Sequence, residues 1–151
     1  MKFIKLVLTI SIISFSLTLN AQINDDSLFK KTFENKKFKT NQIIGLKDFK
    51  YNPNVSDIEL QEPNDNYPYG SITTFENGKF TSGNIGFCGN ECRITVSGNY
   101  YIKRNKIYLF LQTISFWKDC KNRPTENINK EIGKFTWKKD KNGKIKLTAV
   151  K

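Results

Sequence analysis

The sequence predicts a mainly β protein, a single small antiparallel meander closed as a barrel or strongly curved sheet, with a short N-terminal helix. Three observations carry that expectation. Asn77-Gly78 and Asn142-Gly143 each sit between alternating apolar and polar residues, and Asn-Gly supplies the positive φ that a tight hairpin turn demands. Residues 93–103 alternate cleanly, with Ile94, Val96, Tyr100 and Ile102 on one face and Arg93, Thr95, Ser97, Asn99 and Lys103 largely on the other. The hairpins follow one another directly, which makes a meander, and a meander hides its open edges best by closing.

The elements follow in chain order. Lys2 and Lys5 precede a charge-free run from Leu6 to Leu19, ending at Asn20-Ala21-Gln22. This has the form of a cleaved export leader over residues 1–21, because a membrane-spanning helix needs about 20 apolar residues. Cleavage after Ala21 leaves 130 of the 151 residues, 22–151, enough for a single domain. Nothing later resembles a membrane span. Residues 25–38 suit a helix capped by Asp26 or Ser27, with Leu28, Phe29, Thr32, Phe33 and Lys36 at helical spacing. A strand or strand pair over 43–51, broken near Gly45, precedes a long surface loop, 52–70, that holds three of the four prolines. Strands are expected at 71–76 and 79–87, then at 93–103 and 106–117 around an Arg104-Asn105 turn. Residues 106–117 are apolar on both faces, which suits a central strand covered on both sides. A loop over 118–131 with one helical turn at 126–130, and a hairpin from Gly133 to Val150, complete the chain.

Cys88, Cys92 and Cys120 form an odd set. In an oxidising compartment that implies one disulfide and one free thiol. If Arg104-Asn105 is a two-residue turn, Cys88 lies opposite Lys121 and Cys92 opposite Trp117. One bulge then brings Cys88 to Cys120. A tighter Cys88–Cys92 bridge across Gly89-Asn90-Glu91 is the rival. Zinc is disfavoured, since the chain has no histidine to complete a tetrahedral set.

Phe75-Glu-Asn-Gly-Lys-Phe-Thr-Ser-Gly83, Gly86-Phe-Cys-Gly-Asn90, Gly98-Asn-Tyr100, Asn105-Lys-Ile107 and the later Cys120 together resemble the META domain. They are similar also to the small lipocalin-like domains of secreted bacterial proteins. The resemblance covers about half of the chain after the leader. It implies a β-rich envelope-associated fold without catalytic residues, and it favours Cys88–Cys120 as the bridge.

The net charge is +11, falling to +9 once Lys2 and Lys5 leave with the leader. The lysines are scattered, so the charge reads as a solvated surface rather than a nucleic-acid site, and no specific nucleic acid is expected. Arg93, Arg104 and Arg123 are the candidate anion contacts, because a planar guanidinium grips phosphate or carboxylate with two hydrogen bonds. Lacking histidine, the chain cannot run Ser-His, Cys-His or imidazole-metal chemistry. Asp57, Glu59, Glu62 and Asp65 lack a calcium-loop spacing and read as loop solvation. Phe87, Tyr100, Phe110, Trp117 and Trp137 are the candidates to line a barrel cavity, against the alternative that such side chains fill it. Tyr100-Tyr101-Ile102-Lys103-Arg104 interleaves aromatics with cations on one strand. The expectation is a non-enzymatic exported monomer, without cofactor, binding a small apolar or anionic ligand. The alternative is a protein-interaction module, such as an inhibitor, immunity protein or envelope-assembly partner.

Overall fold

The structure, a computed structural model, describes residues 27–48, 50–55, 57–63, 69–86, 92–117, 120 and 123–150. The expected leader lies outside them. The chain divides into a first unit ending at Thr32 and a second from Phe33 to Lys151. Helix α1 spans 27–33, shorter than the sequence suggests. Within it the Thr32 hydroxyl donates to the Leu28 carbonyl at 2.7 Å. Asn35 takes a φ of 56°, which ends helical geometry and starts a strand at Lys36.

The second unit is a closed antiparallel barrel of eight strands. They are β1 (Lys36–Thr40), β4 (Ile58–Gln61), β5 (Gly70–Glu76), β6 (Lys79–Ile85), β7 (Arg93–Lys103), β8 (Lys106–Trp117), β9 (Glu126–Lys139) and β10 (Ile145–Ala149). The order around the barrel is β1-β4-β10-β9-β8-β7-β6-β5. Strands β5 to β10 form the meander that the sequence foretells. A separate two-stranded sheet pairs β2 (Leu46–Lys47) with β3 (Lys50–Tyr51); the strand pair expected over 43–51 is present, but its break lies between Lys47 and Lys50 and not at Gly45.

Two expectations need correction. The supposed loop 52–70 contains β4, which hydrogen-bonds to both β1 and β10 and closes the barrel. Ile58 and Leu60 alternate with Glu59 and Gln61, and both apolar side chains are fully buried. The supposed helical turn at 126–130 is the start of β9, which pairs with β8 from Ile114–Glu126 onward.

The barrel has a turn end and a loop end. At the turn end, Asn77 (φ 50°) with Gly78 (74°), and Arg104 (52°) with Asn105 (56°), make two-residue turns with both central φ positive. The Asp140 carboxylate accepts from the Asn142 and Lys144 amides and holds the third turn. At the loop end the chain between β1 and β4 folds onto the interior. Gly45 takes a φ of 79°, a conformation that favours glycine, and a Cβ there would press on the methyl ends of Leu111 and Ile132 at 2.8 Å. Ile44 is thereby buried, and its amide donates to the Ser82 hydroxyl, which also accepts from Thr73.

Inward-facing side chains fill the space between the two ends. Phe38, Phe75, Phe80, Phe135, Ile94, Ile107, Leu109, Leu111, Ile114, Ile145 and Leu147 are all essentially inaccessible. At the turn end Phe33 packs edge-on against Trp137 and Phe75, with centroids 5.2 and 5.6 Å apart. An eight-stranded barrel is just wide enough for such a core.

Candidate functional site

The five aromatic candidates do not share one cavity. Tyr100 and Trp137 point inward. The Tyr100 ring meets Phe75 edge-on at 5.3 Å, and its hydroxyl donates to the Glu34 carboxylate. Burial first, and Glu34 second, push the Tyr100 phenol well above its ordinary range. The Trp137 ring packs on Phe33, and its buried indole N–H has no hydrogen-bond partner among the described residues. Phe110 and Trp117 point the other way, 37% and 60% exposed, so neither lines an interior. Phe87 lies outside the described residues.

Strand parity and one bulge explain the split. Ile107, Leu109 and Leu111 face inward on β8, which sends Tyr108 and Phe110 out. Gln112 is an extra residue: Gly98 pairs with Leu111, whereas Ser97 pairs with Thr113. Beyond it Ile114 faces inward, and Trp117 joins the outer face. Among the described residues, no further layer therefore covers the second apolar face of β8. That face is the outside of the barrel.

The same bulge decides the disulfide. Cys92 and Cys120 are bonded, with Cα atoms 4.6 Å apart. The Cys88–Cys120 bridge and the free Cys92 are thus overturned; Cys88 itself lies outside the described residues. The two-residue turn sets the β7–β8 register as expected down to Gly98–Leu111, but the bulge moves it by one in the direction away from a Cys88 pairing. The ladder ends at Arg93–Trp117, so Cys92 stands immediately beyond the last pair. The chain turns at Cys120, whose carbonyl accepts from the Arg123 amide.

The three arginines do not converge. Arg104 occupies the β7–β8 turn at one end of the barrel. Arg123, at the other end, stacks its guanidinium 4.0 Å over the Phe116 ring and pairs with Glu126 at 3.0 Å. Arg93 lies cross-strand from Trp117, with its Nε buried and without a partner among the described residues. Of the four acidic residues weighed as a calcium loop, three make lysine pairs around β4: Asp57 with Lys146, Glu59 with Lys144 and Glu62 with Lys36, at 2.6–2.7 Å. Asp65 lies outside the described residues.

What the structure does bring together is an outer stripe on β7 and β8. Tyr101 and Tyr108 are cross-strand partners with rings stacked at 4.6 Å and only 6° from parallel. Phe110 lies opposite Asn99, Lys103 opposite Lys106, and Lys134 of β9 opposite Tyr108. Toward the loop end the stripe runs through Thr95, Ser115, Ser97 and Thr113, the last two joined at 2.7 Å, to Arg93 and Trp117. The alternation of 93–103 signals this face in the sequence. The unpredicted bulge at Gln112 kept Trp117 from being assigned to it. A shallow surface depression of about 240 Å³ lies elsewhere, between β1 and β5, below the roughly 300 Å³ at which ligand pockets begin.

The chain matches no family model, no curated protein and no solved structure. The disulfide is present, and no helix among the described residues is long and apolar enough to cross a membrane.

Proposed function

We propose that this protein is an exported, non-enzymatic recognition domain that works through the outer surface of its barrel, which favours the interaction module that the sequence offers as its alternative over the small-ligand binder that it puts first. One observation carries the reading. The inward side chains fill the barrel, while Tyr101, Phe110 and Trp117 stand exposed outside it. A domain built to hold a small apolar ligand keeps its aromatics inward and leaves space among them. Here the inward rings are packed against one another, Phe33 on Phe75 and Trp137, and Phe75 on Tyr100, and further rings stand outside.

Export is supported by the leader-like residues 1–21 and by the Cys92–Cys120 bond, since disulfides persist in oxidising compartments. The META-domain resemblance fits the same reading through Gly98-Asn-Tyr100 and the bridged Cys120, although the bridge partner is Cys92. A non-enzymatic role is favoured by the lack of any histidine, by both described cysteines being bonded, and by the raised Tyr100 phenol.

Titration with a fluorescent fatty acid tests the choice between interior and surface. The expected result is no saturable site. Stoichiometric uptake, lost when Phe135 is enlarged to Trp, would place the function inside the barrel and overturn the reading.

A further inference from the structure

The outer face of β7 and β8 has a composition that burial does not require. Aromatic rings stand at both of its ends, Tyr101, Tyr108 and Phe110 toward the turns and Trp117 toward the loops. Between them lie hydroxyls: Thr95, Ser97, Thr113 and Ser115. Cations flank the rings. Lys103 and Lys106 lie beyond the tyrosine pair, Lys134 beside it, and Arg93 across from Trp117. None of these four is in an ion pair among the described residues, and Glu131, opposite Phe110, is the one carboxylate paired into the stripe.

We propose that this face is a docking surface for an extended, carboxylate-bearing polysaccharide lying along the strand pair; the proposal rests on the outer-surface reading above. Each part of the stripe matches a part of such a chain. Flat aromatic side chains present large, rigid apolar surfaces at small entropic cost, suited to the apolar faces of sugar rings. The hydroxyl stretch can donate to and accept from sugar hydroxyls. The ammonium and guanidinium groups, in no ion pair among the described residues, meet carboxylates with charge-assisted hydrogen bonds. At about 3.3 Å per residue, Phe110 and Trp117 stand roughly 20 Å apart, so the occupant is a chain and not a single sugar.

Charge density separates this occupant from a nucleic acid. Four cations spread over about 35 Å of strand, with a carboxylate among them, underserve a backbone carrying a phosphate every few ångströms. Tyr101 and Tyr108 also spend one ring face each on the other, which leaves less platform for stacked bases.

The test is affinity electrophoresis and calorimetry of the full exported chain with polygalacturonate, with its fully methyl-esterified form, and with a single-stranded DNA oligonucleotide. Two surface variants accompany it: Tyr101→Ala/Phe110→Ala/Trp117→Ala, and Lys103→Gln/Lys106→Gln/Lys134→Gln. Thermal melts check that both fold. Polygalacturonate is expected to bind, at least tenfold more weakly to either variant, and the esterified chain at least tenfold more weakly to the wild type. Failure of polygalacturonate to bind, or equal binding by all three proteins, overturns the proposal. If DNA binds more tightly and loses affinity in both variants, the polysaccharide is the wrong partner while the outer-surface reading stands. Occupation by the fluorescent fatty acid, with no polyanion bound, defeats both.

Discussion

Gly98 shows how a single residue is fixed by a neighbour that the sequence does not display. A Cβ there would meet the Phe110 carbonyl oxygen at 2.1 Å and the Phe80 ring at 2.7 Å. No turn or positive φ marks it, so the reason for glycine emerges only once β7, β8 and the Phe80 side chain are in place. Gly98→Ala is expected to destabilise by about 2 kcal/mol or more, the scale of overpacking a tight site, while Ser97→Ala costs about 1 kcal/mol for one hydrogen bond; urea denaturation compares them. Tyr100 carries a second expectation. Its inward position follows from the alternation of β7, but its acceptor, Glu34, is 66 residues away. Folding raises the phenol above the unfolded value of 10.0. The folded state therefore keeps its proton after the unfolded chain has begun to lose it. That stabilisation is complete below pH 10 and declines as pH rises past it. Unfolding free energy measured in urea between pH 9 and 11 should fall less steeply for Tyr100→Phe than for the wild type. Identical slopes would remove Tyr100 from the balance.

At the scale of elements, the hairpins were legible and the closure was not. Asn77, Gly78 and Asn105 announce their turns as residue types that tolerate positive φ, and Arg104 takes a φ of 52° beside Asn105 without that preference. Strand β4 is four residues long, follows Pro53 and precedes Pro63, and its acids disguise it as loop; only the Ile58–Leu60 alternation betrays it. Because β4 hydrogen-bonds on both sides, Leu60→Ala is expected to cost about 2–5 kcal/mol, as buried leucines do. Glu59→Ala should cost less than about 1 kcal/mol, since its lysine pair is exposed. The disulfide was misassigned for a related reason: one inserted residue, Gln112, shifts every pairing beyond it. Peptide mapping without reduction should link Cys92 to Cys120. Their 28-residue separation implies that Cys92→Ser or Cys120→Ser loses roughly 3–4 kcal/mol, whereas Cys88→Ser should leave the link intact. A Cys88–Cys120 peptide would restore the simpler register.

For the molecule as a whole, closure puts every strand's two faces into different environments. The inner face becomes a packed core, and the outer face is left for water and partners. Composition could foresee the barrel but could not tell a filled interior from an open one, because the same phenylalanines serve either. The distinction rests on parity at particular positions, with Phe75 and Phe135 inside, Tyr101 and Phe110 outside. The central claim is that the interior belongs to the protein's own side chains, leaving recognition to the surface. Native mass spectrometry of the protein purified from its native source tests this most directly. The account expects the polypeptide mass less two hydrogens for the disulfide, with no small-molecule adduct. A stoichiometric adduct that survives desalting and is released only on unfolding would contradict it.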